Sequence, residues 1–197
     1  MPKVFVRNYL IFTAILLVCV GGLGYLLVSA DKEISEADDS IFQTHKVIIE
    51  AEELNSLVSE MLSAQRAFMM SKNEDFLERY ESAKADTSQS IATLTEMTQD
   101  NPSQQSRLFE LRQYFTDFSK QIEERAELSR DANVQEILNN VGKIDNLQGN
   151  IRRIDRDFLN EEYKLLDERI NIVKTKRDEY FWVLLVGGTV ATILLMI

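Results

Sequence analysis

The sequence predicts an all-α protein: an antiparallel, up-down-up-down four-helix bundle whose long first and fourth helices continue into two transmembrane helices. Three observations support this class. Two apolar runs without charged residues, 9–28 and 181–197, flank the chain. Only two prolines occur, and five of the seven glycines lie inside these runs. With so few chain breakers a turn-rich β structure is excluded, and the abundance of Leu, Glu, Ala and Lys between the runs favours helix.

The apolar runs predict a two-pass membrane topology. A span takes about 20 apolar residues, which residues 9–29 supply and residues 180–197 nearly supply. Lys3 and Arg7 precede the first run without an acid, so residues 1–8 are expected to be cytoplasmic. Residues 30–179 would then be periplasmic, and the two spans would lie in a bacterial inner membrane. A cleavable signal peptide ending near Ala30 is the alternative, but its apolar core usually has only about 7–15 residues.

The central segment is strongly acidic. It holds all 32 acids and 20 of the 22 bases, a net charge of −12. This charge argues against nucleic acid and against adhesion to anionic lipid, and solubility is its simplest interpretation. The sole cysteine, Cys19, lies in the first apolar run, so no disulfide is expected in the segment. No metal-ligand spacing, activated nucleophile or phosphate loop is visible, so we expect neither a cofactor nor an enzyme in this chain.

Helix one is predicted to continue from the first apolar run to about Met70. Its core stripe advances in steps of three and four, typical of a packed helix: Ile34, Ala37, Ile41, Thr44, Ile48, Ala51, Asn55, Val58, Leu62, Gln65 and Met69. A second stripe widens this face: Val47, Leu54, Leu57, Met61, Ala64 and Phe68. Asn73 is a suitable N-cap for helix two, which is predicted over Glu74–Thr98.

The remaining helices follow from two turn signals. Asn101 can cap helix three and Pro102 can take its first position, where the missing N–H costs nothing. Helix three is predicted to end near Ser129, with a seam of Leu108, Leu111, Phe115, Phe118 and Ile122. A turn at 131–133 precedes helix four, which is predicted to begin near Val134 and to run into the second apolar run. Its apolar positions are Ile137, Val141, Ile144, Leu147, Ile151, Ile154, Phe158, Leu165 and Ile172.

The helix lengths predict the topology and a partner. At about 1.5 Å per residue, the alternating rises and descents nearly cancel, so the chain returns to the membrane. Helices two and three are too short to accompany the full length of their neighbours. The parts of helices one and four nearest the membrane would form a two-helix stem, whose stripes need a partner. We therefore predict a parallel homodimer.

Three blocks of sequence, in order between about residues 45 and 173, resemble the third type of CHASE domain. CHASE names the extracellular sensory domains associated with cyclases and histidine kinases. The matching blocks are Gln65–Met70 followed by Glu74–Tyr80; Thr98, Asn101, Pro102 and Gln105; and Gly142, Lys143, Ile151, Arg152, Glu162, Leu165 and Arg169. Ala67 and Lys72 replace glycines that are common in the family, and Leu62 replaces an acid.

The resemblance implies a periplasmic four-helix sensor that feeds a cytoplasmic output domain, such as a histidine kinase, a diguanylate or adenylate cyclase, or a chemoreceptor. Such an output domain would lie beyond Ile197. The candidate signal or structural residues are Gln65, Arg66, Phe68, Tyr80, Asn101, Pro102, Glu162 and Arg169. The expected partners are a second copy, the lipid bilayer, and a small-molecule or protein ligand.

Arg66 is the strongest single candidate. Its guanidinium could hold a carboxylate ligand, although an ion pair across the bundle is the more frequent use of such a residue. Arg152, Arg153 and Arg156 are expected to pair with Asp155, Asp157 or acids of helix one.

Two alternatives to a membrane sensor remain: a dimerising spacer that binds nothing, and the ligand domain of a chemoreceptor. A cavity near Arg66 or Phe68 would argue against the spacer.

Overall fold

The structure, a computed structural model, describes residues 3–130 and 134–196. It contains four helices: α1 (Lys3–Ser71), α2 (Glu74–Met97), α3 (Pro102–Arg130) and α4 (Val134–Met196). Over these residues there is no strand, so the all-α class is confirmed and each tested helix end lies within one residue of its prediction. The predicted turn at 131–133 lies outside the described residues. So do the side chains of Cys19, Ile137, Val141 and Lys143.

The turn between α1 and α2 is closed by backbone geometry and a cap. Lys72 has φ 57°, the left-handed conformation, and its N–H donates to the carbonyl of Phe68 at 2.7 Å. This bond satisfies a carbonyl of the last helical turn. Asn73 then caps α2, because its Oδ1 accepts from the N–H of Asp75 at 3.0 Å. Glycine adopts this φ without strain, so Lys72 pays for the conformation with steric crowding of its Cβ.

Two compact units divide the chain: a core unit, Thr44–Leu165, and a paired-helix unit, Met1–Gln43 with Leu166–Ile197. The core unit holds one continuous cluster of buried apolar side chains from all four helices. Both predicted stripes of α1 contribute to it, and all five residues of the α3 seam are buried. Asn55 is the exception within the core unit, since its predicted core position is exposed. It faces the groove described below.

Polar contacts in the core unit join neighbouring helices. Arg79 of α2 pairs with Glu60 of α1 at 3.0 Å. Further along α2, the Ser90 hydroxyl donates to the carbonyl of Glu50 at 3.4 Å. The same kind of contact joins α3 to α4, where Arg153 lies 3.1 Å from Glu110.

The paired-helix unit brings α1 and α4 together near the two apolar runs. Lys176 and the Tyr180 hydroxyl both donate to Oε2 of Glu33, and the hydrogen bond from Lys176 lowers the pKa of Glu33. Val173 is buried here, whereas Ile172, predicted to face the core, is 52% exposed. That prediction is wrong because, where only two helices pack, each buries a narrower face.

The two apolar runs also belong to this unit, and most of their large side chains are exposed. A Cβ placed on Gly187 would lie 2.5 Å from Cδ2 of Leu23, so the two helices approach closely at this glycine. Over the described residues, one helix is long and apolar enough to cross a membrane. It begins at Leu10, and its most apolar stretch is not buried within the protein. The second predicted span remains a prediction.

Candidate functional site

The end of α1 holds three of the predicted site residues. Gln65 and Phe68 are buried, and Nε2 of Gln65 lies 2.7 Å from Sδ of Met69. The ammonium of Lys72 lies 5.9 Å from the centre of the Phe68 ring. Arg66 is exposed and makes no ion pair with any residue that the structure describes. Arg66 projects away from the side of α1 that packs on its neighbours, and its pairing across the bundle stays a prediction.

Tyr80 is a structural residue between α2 and α3. It is 2% exposed, and its hydroxyl donates to the carbonyl of Ser119 at 3.4 Å. Burial, with smaller effects of Glu123 and Glu81, raises the pKa of the phenol above its ordinary range. The side chain therefore stays neutral and anchors one helix against the other.

Asn101 and Pro102 form the start of α3, as predicted. Oδ1 of Asn101 accepts from the N–H groups of Ser103 and Gln104 at 3.1 and 3.2 Å. The Gln105 amide donates back across the turn to the Thr95 carbonyl at 2.8 Å. The polar residues of this turn thus bond to backbone groups at the end of α2 and the start of α3, which the helices themselves leave without partners.

Glu162 takes part in a buried polar network between α3 and α4. Gln104, with no exposed surface, donates from Nε2 to Oε1 of Glu162 at 2.7 Å and to the carbonyl of Phe158 at 3.1 Å. Oε1 of Gln104 in turn accepts a hydrogen bond from Arg107 at 3.0 Å. The sequence reasoning missed Gln104. Arg169 lies instead in the paired-helix unit, where its guanidinium donates to the carbonyl of Ser40 at 2.9 Å.

A groove of about 390 Å³ opens between α1 and α4 of the core unit. It is lined by polar side chains around Leu159: Asn55, Arg152, Asp155, Arg156, Asn160 and Tyr163. Asp155 is 6% exposed, and its Oδ1 is buried without a hydrogen-bond partner among the described residues. Burial raises the pKa of this carboxyl to about 6. At the rim, the Tyr163 hydroxyl donates to Glu52 at 2.7 Å.

The arginines of α4 divide into two groups. Arg153 pairs with Asp157 at 3.6 Å, as the sequence predicted, and with Glu110 of α3, which the sequence did not predict. Arg152 and Arg156 make no hydrogen bond or ion pair with any described residue, so their predicted pairing is wrong. Both line the groove, because a spacing of four residues places two side chains on the same face of a helix.

A second groove, of about 590 Å³, lies between α2 and α3. Its lining includes Ile91, Phe115 and Ser119, whose Oγ is buried without a described partner. Two of its charged residues, Lys84 and Glu123, pair with each other, and Lys84 also pairs with Glu81 beside the groove. Over the described residues, no group of three or more His, Cys, Asp or Glu side chains is arranged to hold a metal ion.

Comparison with protein families identifies residues 37–171 as a CHASE3 domain. This match covers more than half of the chain. The chain belongs to the CHASE3 family. Searches of curated proteins and of solved structures returned no significant match.

This match confirms the resemblance inferred from the three sequence blocks. CHASE3 domains are extracellular sensor or input domains. The CHASE3 segment contains the whole core unit, and both apolar runs lie outside it. All the candidate residues from Gln65 to Arg169 fall inside the CHASE3 segment, together with both grooves.

Proposed function

We propose that the chain is the input module of a bacterial transmembrane receptor. In this proposal the CHASE3 domain lies in the periplasm, and two spans in the inner membrane link it to a cytoplasmic output domain. The observation that carries the proposal is helix continuity. α1 and α4 each contain part of the CHASE3 segment and one of the apolar runs within a single helix. A displacement at one end of such a helix is transmitted to the other.

The proposed architecture of the CHASE3 segment is an up-down-up-down bundle. Contacts between α1 and α2 support it, because they move back along α1 as they move forward along α2: Arg79 meets Glu60 and Ser90 meets Glu50. Between α3 and α4, Gln104 meets Phe158, whereas Glu110 meets Arg153. Both helix pairs are thus antiparallel neighbours, as short connections require.

The two-pass topology is supported by exposure and charge. The apolar side chains of both runs have little protein around them, as expected of residues that face lipid. Basic residues precede the first run and acids follow it, so the N-terminus would be cytoplasmic. In this arrangement the first run is an uncleaved anchor rather than a signal peptide.

Signalling would consist of a small slide or rotation of α4 against α1. In the paired-helix unit, Glu33 accepts from Lys176 and Tyr180 just before the second apolar run. These contacts couple the two helices where the proposed signal enters the membrane. A change of this kind requires two packings of similar energy, with the stimulus favouring one.

We also propose that the module works as a homodimer and has no catalytic activity of its own. In the paired-helix unit Phe42, Ile170 and Ile172 are 59, 44 and 52% exposed. A second copy packed against these helices would bury some of these exposed apolar side chains. Neither Arg66 nor Phe68, beside which a cavity would have argued against a spacer, lines a groove described above. The polar groove between α1 and α4, with the buried carboxyl of Asp155, is the feature that supports ligand binding over a ligand-free spacer.

Helical phase tests the proposal. Each alanine inserted between Arg177 and Asp178 rotates the following helix by about 100° and shifts it by about 1.5 Å. Output of the full-length receptor, measured for insertions of one to four residues, should vary with this rotation. Matched insertions after Gln99, in the turn before α3, should leave output unchanged. Output that is indifferent to the number of residues inserted before Asp178 would refute transmission through α4.

A further inference from the structure

In the groove between α1 and α4, one buried carboxylate oxygen accepts no hydrogen bond from any described residue. Asp155 has nine-tenths of its surface buried, and its Oδ1 has no partner among the described residues. Buried polar atoms almost always have a partner, so such an atom calls for an explanation. A cavity beside it, lined by Leu54, Val58 and Ile151, measures only about 10 Å³, the lower limit for one water. The larger space next to Asp155 is the groove itself.

Two arginines that line the same groove have no anionic partner among the described residues. Arg152 and Arg156 lie on one face of α4 with no hydrogen bond or ion pair to any described residue. Two like charges four residues apart destabilise a helix. Guanidinium groups bind carboxylates through paired hydrogen bonds, so an anionic ligand would relieve this repulsion. Arg153, the neighbour that points elsewhere, is already occupied by Glu110 and Asp157.

We propose that this groove binds a free amino acid, whose ammonium group pairs with Asp155 and whose carboxylate pairs with Arg152 and Arg156. A ligand with only one of these charges would leave the opposite requirement unmet. The volume of about 390 Å³ is within the range of small-molecule sites. Asn55 and Asn160 line the groove and supply amides that can bond to either group. The inference rests on the proposed sensor function and names the class of its stimulus.

The ligand would connect the two helices that carry the proposed signal. Asn55 belongs to α1, and the three charged residues belong to α4. A molecule held between them stabilises one relative position of the helices over another, which is the differential affinity that a sensor needs. The groove lies within the core unit.

Calorimetric titration of the full chain in lipid nanodiscs tests the site. The probes are the twenty standard amino acids, one at a time, with acetate and ethylamine as single-charge controls. At least one amino acid should bind with a Kd below about 1 mM, and each control at least about tenfold more weakly. The variants Asp155→Asn, Arg152→Gln and Arg156→Gln should each weaken that binding by at least about tenfold, since each removes a charge-assisted hydrogen bond.

Arg153→Gln is the matched control, because it removes the same charge from the same helix outside the groove. Its Kd should stay within about twofold of that of the parent chain. Far-UV circular dichroism checks that each variant is folded. If Asp155→Asn does not fold, the binding measured for Arg156→Gln, whose side chain is exposed, tests the site. The proposal is overturned if no amino acid binds, if acetate binds as tightly as the best amino acid, or if Arg153→Gln weakens binding as much as Arg156→Gln. Phase-dependent output without amino acid binding would overturn this inference alone and leave the input-module proposal standing.

Discussion

Replacing Asp155 by asparagine should stabilise the ligand-free protein at neutral pH. Asparagine has nearly the same shape but no charge, so it removes the desolvation penalty of a buried carboxylate. The pKa of Asp155 is raised from 3.8 to about 6 by burial. Between these values the folded state binds more protons than the unfolded state. Stability of the parent chain contributed by this group therefore falls as the pH rises through the window, and remains low above about pH 6.

The structure bounds the size of the effect. The difference between the two pKa values corresponds to about 3 kcal/mol at neutral pH, at about 1.36 kcal/mol for each pH unit. Asp155 borders an open groove, and water in the groove screens the charge. We therefore expect Asp155→Asn to stabilise by about 1–2 kcal/mol at pH 7.5, which raises the Tm of a chain of this size by about 2–8 °C.

Thermal unfolding of the full chain, followed by circular dichroism at 222 nm from pH 4 to 7.5, measures this difference. The advantage of Asp155→Asn should shrink steadily as the pH falls towards 4. Asp157→Asn is the matched control, since Asp157 is exposed and pairs with Arg153. Equal Tm values for Asp155→Asn and the parent chain at pH 7.5, or a difference that grows towards pH 4, would refute a buried, destabilising carboxylate.

Three further predictions concern the turns and the buried network. Lys72→Gly should be more stable than Lys72→Ala by about 1 kcal/mol in urea unfolding, because glycine adopts the positive φ without crowding a Cβ; equal stability would exclude strain at this turn. Asn101→Ala should cost about 1 kcal/mol by loss of two N-cap hydrogen bonds, whereas Gln99→Ala, in the same turn, should cost almost nothing. Gln104→Leu should cost about 2–3 kcal/mol because it removes the hydrogen bond that Gln104 donates to the buried carboxylate of Glu162, and a thermal melt showing no loss would contradict a structural role for the pair.

The helices could be predicted because their signals are local. Asn73 and Asn101 cap with side chains that bond to backbone two or three residues ahead, so neither needs the rest of the fold. Apolar residues repeated at three and four positions must share one helix face, whatever packs against it. The α3 seam is buried for this reason.

The groove was not predicted because it depends on which residues of separate helices meet. Asn55 belongs to the core stripe of α1, and its stripe neighbours Ala51 and Val58 are buried. At the level of Asn55, however, the facing surface of α4 is polar, so Asn55 itself is exposed. Asp155 reads in the sequence as one acid among several basic and acidic neighbours. Its position, four residues after Ile151 and three before Phe158, places it on the buried face of α4, a spacing signal that its charge obscured.

Residue order alone determined four helices, their ends, their capped turns and the faces that pack, because each depends on interactions spanning about one helical turn. Tertiary structure alone decided which charged residues meet across helices: Arg66 remains in solvent, Arg153 meets Glu110 of α3, and Arg152 and Arg156 border a buried acid. The physical reason is that a charge is stabilised or destabilised by groups within a few ångströms in space. In a helical bundle, those groups come from segments about fifty to one hundred residues away in the chain.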